Sequence, residues 1–254
     1  YADAYQASRR TGLWVTDGTP IGTQFLAKVY ISEQPSANPV TTFGTPPPFY
    51  IVWNEILYFA GSDGVHGYEL WRSDGTGKGT YMLADLAISP GPGLVYSSAP
   101  GGMAILGDWL VMVTGQGLAR SNGTPENTEN FWNGMVTSPL MAYQGALYFG
   151  VYDLNTREIQ LWRTDATPAG TKPVHNFGPG GSNYLPRVLP VATYDGALYL
   201  VTAADTRTLW RTDGTDAGTQ PVISSVSDNP NDYMVFGQRL YFMASDSTHG
   251  SELW

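Results

Sequence analysis

Leu70-Trp71-Arg72-Ser73-Asp74-Gly75-Thr76-Gly77-Lys78-Gly79-Thr80 is the stretch that decides the fold, because it returns along the chain with little change. Further copies begin at Leu13, Leu118, Leu161 and Leu209. In the most degenerate copy, Ala119 replaces the tryptophan and Asn122 replaces the aspartate. The tryptophan position recurs at 14, 71, 119, 162, 210 and 254, so the intervals are 57, 48, 43, 48 and 44 residues, the mark of a tandem repeat.

A second repeated element is an apolar segment that precedes each later copy and reads Leu-Tyr-Phe in three places. The five segments are Ile56-Leu57-Tyr58-Phe59, Trp109-Leu110-Val111-Met112, Ala146-Leu147-Tyr148-Phe149, Ala197-Leu198-Tyr199-Leu200 and Arg239-Leu240-Tyr241-Phe242. Just before them lie the pairs Asn54-Glu55, Gly107-Asp108, Gln144-Gly145, Asp195-Gly196 and Gly237-Gln238. Such pairs accept positive φ and predict tight β-hairpin turns.

Each module therefore reads as four short antiparallel strands, and no segment has a convincing helical period. The prediction is an all-β propeller of four-stranded blades forming a single domain over residues 1–254. The repeats run approximately over 15–71, 72–119, 120–162, 163–210 and 211–254. Five blades make the simplest ring, and six or seven are expected if the chain is part of a longer protein. Residues 35–48, rich in proline and threonine, and the glycine-rich stretch 178–182 are predicted excursions from the repeat.

Composition excludes several classes of function. The chain of 254 residues has no cysteine, which removes thiol catalysis, zinc–thiolate sites and iron–sulfur clusters. A net charge of −9 with only 13 Lys and Arg argues against nucleic acid and anionic membranes as partners. No apolar run approaches the length of a membrane span. The first residues resemble no signal sequence, so either a signal peptide has been removed or none existed. A removed signal peptide is the expectation for an extracellular protein.

The stretch from Glu69 to Thr80 resembles the repeat written ELWxxDGTxxGT, which occurs in tandem in large bacterial extracellular proteins. The resemblance covers essentially the whole chain. It implies a β-propeller-like repeat in secreted or surface proteins, and it brings no catalytic residues with it. The copy at Leu118 departs most from the pattern, which puts any ligand of its loop in doubt.

The repeated aspartates have two possible roles. In Asp-Gly-Thr the carboxylate can accept hydrogen bonds from N–H groups one to three residues further on, which closes a tight turn. The alternative is calcium binding through carboxylate and carbonyl oxygens, although one carboxylate per loop is sparse for calcium. The residues concerned are Asp17, Asp74, Asp165 and Asp213.

The repeated tryptophans and two histidine loops are the other candidates. Tryptophans at one blade position are expected in equivalent environments, packed between blades, with sugar stacking as the alternative. Ser62-Asp63-Gly64-Val65-His66-Gly67 and Ser245-Asp246-Ser247-Thr248-His249-Gly250 resemble each other. Asp63, His66, Asp246 and His249 either fix their loops or bind a metal or an acidic ligand.

No nucleophile elbow, phosphate loop, dinucleotide fingerprint or metalloprotease spacing is present. We therefore expect a non-enzymatic secreted or surface propeller that binds a glycan or a surface or matrix protein. No cofactor is expected beyond the calcium alternative. The competing hypotheses are a self-associating subunit of a sheath, fibre or matrix, and a propeller hydrolase or lyase.

Overall fold

A computed structural model describes residues 12–31, 50–87, 96–181 and 186–254. Within these ranges the chain consists of strands and turns, with 3-10 turns at Pro125–Asn127 and Pro230–Asp232 and no α-helix. The predicted scarcity of helix is confirmed there. The predicted excursion at 35–48 lies outside the described residues, and so does Ser182 of the stretch 178–182.

The described ranges contain strands β1 to β23, which form six antiparallel sheets. Their bounds are β1 Leu13–Val15, β2 Gln24–Ala27, β3 Tyr30–Ile31, β4 Tyr50–Trp53, β5 Ile56–Ser62, β6 Glu69–Ser73, β7 Tyr81–Ala84, β8 Gly101–Leu106, β9 Trp109–Thr114, β10 Gly117–Ser121, β11 Thr128–Asn133, β12 Met135–Val136, β13 Met141–Tyr143, β14 Ala146–Asp153, β15 Glu158–Thr164, β16 Lys172–Pro179, β17 Arg187–Tyr194, β18 Ala197–Ala203, β19 Arg207–Thr212, β20 Gln220–Ser224, β21 Tyr233–Phe236, β22 Arg239–Asp246 and β23 Gly250–Leu253.

Four consecutive sheets have the strand order of a propeller blade. The third sheet runs β8-β9-β10-β11 and the fifth runs β17-β18-β19-β20. In the second and fourth sheets the first position is shared by two short strands, β3 with β4 and β12 with β13. The first sheet comprises β1 and β2, and the last comprises β21 to β23. The all-β class and its antiparallel sheets are confirmed.

The sheets are offset by one strand from the sequence repeats. The strand after each Gly-Thr pairs with the Leu-Trp strand before it, as β7 pairs with β6. It therefore closes one sheet, and the next sheet begins at the strand before the following tight turn. The first strands of successive sheets contact one another in the order β4, β8, β13, β17 and β21. Successive sheets therefore adjoin one another through these first strands.

The five tight turns use the positive φ that their residues predict. Both turn residues have positive φ at Asn54-Glu55, with values of 50° and 62°. This is the type I′ geometry, and Gln144-Gly145 and Asp195-Gly196 share it. Where glycine comes first, at Gly107 and Gly237, glycine alone carries the positive φ. The predicted hairpins are confirmed.

A β-bulge recurs where the last strand crosses the Leu-Trp step. Leu70 pairs with Ala84 but Trp71 pairs with Met82, so Leu83 is the extra residue. The same irregularity occurs at Leu13/Trp14, Leu118/Ala119, Leu161/Trp162 and Leu209/Trp210. Because a bulge bends a strand and increases its twist, the repeat sets the same curvature in every sheet where this pair of strands is described.

Three of the repeated tryptophans pack against the preceding sheet, and the environments of the set are not equivalent. Trp71 is 7% exposed and packs with Val29 and Phe59. Trp162 and Trp210 are half-buried against aromatic side chains of the preceding sheet's last strand. Trp14, in the two-stranded sheet, is 55% exposed, and Trp254 is exposed as well. The expectation of equivalent environments is wrong because this position depends on a neighbouring sheet for its cover.

The second and third sheets also contact the repeat turn of the sheet that follows. Arg120 donates from Nη1 to the carbonyl oxygen of Ala166, at 2.6 Å, in the next sheet's turn. The equivalent Arg72 donates to the carbonyl oxygen of Gly123 at 3.4 Å. A Cβ on Gly123 would lie 2.6 Å from the hydroxyl oxygen of Tyr58. The tyrosine of one sheet therefore closes over the glycine of the next turn.

Glu69 joins the second sheet to the third. Its carboxylate is fully buried and accepts hydrogen bonds from the Leu86 and Ser98 N–H groups, both at 2.9 Å, and from the Ser98 hydroxyl at 2.6 Å. Burial raises the pKa of Glu69, although these hydrogen bonds oppose the shift. The carboxylate therefore fixes the chain on both sides of residues 88–95.

We expect Glu69→Ala to reduce the free energy of unfolding by about 3 kcal/mol or more, because it leaves buried donors without an acceptor. Glu252→Ala is the matched control, since Glu252 has the same repeat position and is exposed. Urea denaturation followed by tryptophan fluorescence gives both values. Equal losses in the two variants would show that the Glu69 hydrogen bonds contribute little.

Candidate functional site

The repeated aspartates lie in turns that their own side chains close. Asp74 Oδ1 accepts from the Thr76 N–H at 2.9 Å and from the Thr76 hydroxyl at 2.7 Å. The same two bonds form from Asp17 to Thr19, from Asp165 to Thr167 and from Asp213 to Thr215. Asn122 accepts the equivalent pair from Thr124. The geometry is that of the predicted turn role.

The rest of the motif completes this network. The Ser73 hydroxyl hydrogen-bonds that of Thr80 at 2.7 Å, and Thr80 donates to the carbonyl oxygen of Thr76. The Gly79 N–H donates to the Thr76 hydroxyl oxygen at 3.0 Å. A Cβ on Gly79 would overlap the Asp74 carboxylate, which explains the second glycine of the repeat. The motif is thus a self-contained hydrogen-bonded loop.

The hydrogen bonds from Thr76 lower the pKa of Asp74, and the equivalent threonines do the same for Asp17, Asp165 and Asp213. In the described ranges, no three His, Cys, Asp or Glu side chains converge as a metal site. The calcium role of these four aspartates therefore stays a prediction, and each of them has partners within its own turn.

The two histidine loops have the same local geometry. Asp63 accepts the His66 N–H at 2.9 Å through Oδ1, and its Oδ2 lies 2.7 Å from His66 Nδ1. Asp246 and His249 repeat this arrangement, with 3.1 Å between Oδ2 and Nδ1. The side-chain hydrogen bond that Asp63 accepts raises the pKa of His66. Each pair fixes the hairpin of its own sheet, and the ligand role predicted for all four residues stays a prediction.

A cleft of about 300 Å³ lies between β11 of the third sheet and the β14–β15 hairpin of the fourth. We call it the tryptophan cleft, because Trp132 and Trp162 both line it. Both indoles are half-buried, and their ring centroids are 5.0 Å apart with an interplanar angle of 52°. The lining residues with polar side chains include Asn133, Tyr152, Asp153, Asn155 and Gln160.

Packing on three sides holds Trp132 in place. The fully buried Phe149 meets it edge to face at 5.7 Å between ring centroids. Trp162 lies beside it, and a Cβ on Gly134 would overlap the indole ring. Glycine at position 134 therefore lets the indole lie against the backbone. The aromatic surface is preformed, so a ligand would not have to order it.

A larger and more polar cavity of about 710 Å³ lies between the fifth sheet and the last. Asp228 lines it and pairs with Arg187 Nη2 at 2.6 Å and with Arg207 Nε at 3.1 Å. Asp205 contributes a second carboxylate to the lining. The Asp228 carboxylate therefore pairs the segment that leads into the last sheet with two arginines of the fifth sheet.

Trp132 and the cleft were not found from the sequence. A signal did exist, because Trp132 is out of phase with the repeat and follows the one copy in which alanine occupies the tryptophan position. What the sequence does not show is the proximity of Trp132 to Trp162. That proximity depends on which strand of the fourth sheet faces β11.

No protein-family model and no curated protein matches the sequence. Among solved structures, the chain is similar to BBS1N in complex with ARL6DN, with 15% identity and a TM-score of 0.44 over 96% of this chain and 71% of that chain. The chain is also similar to an exo-β-1,3-galactanase from Clostridium thermocellum, with 10% identity and a TM-score of 0.39 over 89% of this chain and 61% of that chain. For an α-L-arabinofuranosidase from the same organism, the identity is 14% and the TM-score is 0.33, over 82% of this chain and 84% of that chain. At these TM-scores the similarities carry no inference about what this chain binds.

No helix in the described ranges is both long and apolar enough to cross a membrane.

We expect the four turn aspartates to make the protein acid-sensitive. Their pKa values are lower in the folded state than the ordinary aspartate value of 3.8, so their contribution to stability is present above that pH. It is lost as the pH falls below 3.8 through the lowered values. The combined change of Asp17, Asp74, Asp165 and Asp213 to Asn should flatten the fall in stability between pH 4 and pH 2, measured by urea denaturation.

The control for this experiment is Asp108→Asn on an exposed hairpin turn, which should leave the acid dependence unchanged. An equally steep acid transition in the fourfold variant would contradict the turn role. The calcium alternative is tested on the same proteins. A melting temperature that rises with calcium chloride in the native chain, and not in the fourfold variant, would support it.

Proposed function

We propose that this chain is a non-enzymatic β-propeller-type binding module of a secreted or cell-surface protein, built from repeats of the ELWxxDGTxxGT kind, and that its ligand is a glycan. The tryptophan cleft is the observation that carries the proposal. It combines two half-buried indoles with amide side chains on a preformed surface, as in pockets where a few polar groups orient a ligand above apolar walls.

The propeller proposal extends the observed order of sheets to a closed ring. A ring of five blades results if the two-stranded first sheet and the three-stranded last sheet combine, with either β1 or β23 displaced. A ring of six or seven blades requires residues beyond this chain. In either case each sheet is covered by its neighbours, as repeats that cannot bury their own faces require.

The chemistry of the cleft favours binding over reaction. Indoles and amides stack and hydrogen-bond, whereas general acid–base catalysis needs groups that titrate near the working pH. Asp153, the carboxylate of the cleft, accepts the Asn155 and Thr156 N–H groups through Oδ1 at 2.8 and 3.2 Å. It therefore serves its own turn.

Three alternatives have specific support. The last sheet exposes Met234 and Phe236 on one outer strand and Leu253 on the other, and such apolar edges favour self-association in a sheath, fibre or matrix. The larger cavity contains the carboxylates Asp205 and Asp228, which a hydrolase or lyase would use. A surface or matrix protein is the other possible partner, because tryptophan also anchors protein interfaces.

We expect the purified chain to bind neutral glycans on an array, with weak affinity at each contact and no release of sugar. Surface plasmon resonance on the same glycans gives dissociation constants, and a reducing-end assay measures hydrolysis. The heat-unfolded chain is the control. A flat response across neutral and acidic glycans would contradict glycan binding, and accumulation of reducing ends would favour the hydrolase. Particles that grow with concentration in light scattering would favour the structural subunit.

A further inference from the structure

We infer that the tryptophan cleft is a subsite for a pyranose ring of a neutral glycan, with Trp132 as the stacking platform and Gln160 and Asn155 as hydrogen-bonding groups. The inference rests on the proposed function and names the residues and the ligand chemistry of its site.

The aromatic component comes from the geometry of Trp132. This ring is fixed by Phe149, Trp162 and the Gly134 backbone, and it nevertheless remains partly exposed along the cleft. A pyranose ring has an apolar face of C–H groups and a rim of hydroxyls. An indole offers the matching broad apolar face together with a polar N–H at its edge. One ring face can therefore be covered without burying the hydroxyls.

The polar component comes from side chains with unused hydrogen-bonding capacity. Gln160 accepts the Trp162 Nε1–H at 2.7 Å through Oε1, which fixes the amide and leaves its NH₂ donors for another partner. Within the described residues, no hydrogen bond engages the side-chain amides of Asn133 or Asn155, or the Nε1–H of Trp132. A side-chain amide both donates and accepts hydrogen bonds, and a hydroxyl group can use a partner of either kind. A ligand rich in hydroxyl groups matches this lining.

Charge selects a neutral ligand. In the part of the chain that the structure describes, the one carboxylate lining the cleft is Asp153, whose Oδ1 is used by its own turn, and no Lys or Arg lines it. A carboxylate at the rim attracts hydroxyl donors and repels uronic acids and sulfated sugars. The net charge of −9 acts in the same direction over the whole surface.

The test uses the full chain and hexasaccharides of β-1,3-linked glucose, β-1,4-linked glucose, β-1,4-linked xylose and β-1,4-linked N-acetylglucosamine, with oligogalacturonate as the acidic probe. Calorimetry gives the dissociation constants, and tryptophan fluorescence reports contact with the indoles. At least one neutral probe should bind, and oligogalacturonate should not. Trp132→Ala should raise the dissociation constant of the bound probe by about tenfold or more, which is the effect expected for the loss of a central aromatic anchor.

Three matched variants separate binding from folding. Trp132→Phe keeps an apolar ring against Phe149 and should bind within about threefold of the native chain. Gln160→Ala removes a rim amide, and we expect several-fold weaker binding with an unchanged melting temperature. Trp14→Ala removes an exposed repeat tryptophan outside the cleft and should leave affinity unchanged.

The outcomes distinguish this inference from the proposed function. If the native chain binds a neutral probe and Trp132→Ala and Gln160→Ala bind equally well, the subsite is wrong while glycan binding stands. Loss of binding in Trp14→Ala alone would place the sugar on the exposed repeat tryptophan instead. If neither the array nor any probe gives binding, the proposed glycan function fails. Displacement of a bound sugar by a peptide that contacts Trp132 would make the cleft a peptide site.

Discussion

The structure depends on a carboxylate or amide oxygen that accepts two hydrogen bonds from a threonine two residues further on. Asp74 and Thr76 show this pair, and it fixes the backbone between the third and fourth strands of a sheet. The preceding sheet contacts the same turn. Arg120 donates a hydrogen bond to the carbonyl oxygen of Ala166, and the Tyr58 hydroxyl lies against Gly123. One turn therefore sets the hairpin within a sheet and the position of the next sheet, which links the stability of each repeat to that of its neighbours.

The repeat tolerates change where the hydrogen-bonding pattern survives. Asn122 replaces the aspartate and still accepts from both Thr124 donors, because an amide oxygen has the same reach. Ala166 replaces a glycine at a φ of 67°, which strains an L-residue. Its methyl group is fully buried with Val111 and Leu147, and this burial offsets part of the strain. These substitutions alter the turn chemistry without altering the path of the chain.

Much of this architecture could be predicted from the sequence, because the determinants are local. Asn54-Glu55 and Gly107-Asp108 each encode their turn within two residues, and the Asp74 network closes within seven. The environments of the tryptophans could not be predicted, because the cover of Trp14 or Trp71 comes from another sheet. Glu69 and Glu252 occupy one repeat position, yet one is buried and the other exposed. The tryptophan cleft belongs to the same category, since it joins residues of two sheets.

The cleft occurs where the repeat is least regular. In the third sheet, Ala119 occupies the position of the repeat tryptophan. It packs in one cluster with Leu83 of the second sheet and with Leu86, which follows that sheet's last strand. Trp132 appears instead on the last strand, paired with Leu118 at the position that Ala84 and His175 occupy in the sheets on either side. A tryptophan serving only to fill the core would be expected to lose most of its exposed surface, as Trp71 does. Trp132 keeps part of its ring exposed on a support that Phe149 and Gly134 hold rigid. The irregular repeat thus leaves a partly exposed aromatic surface at a packing position, while the turns that carry the fold remain intact.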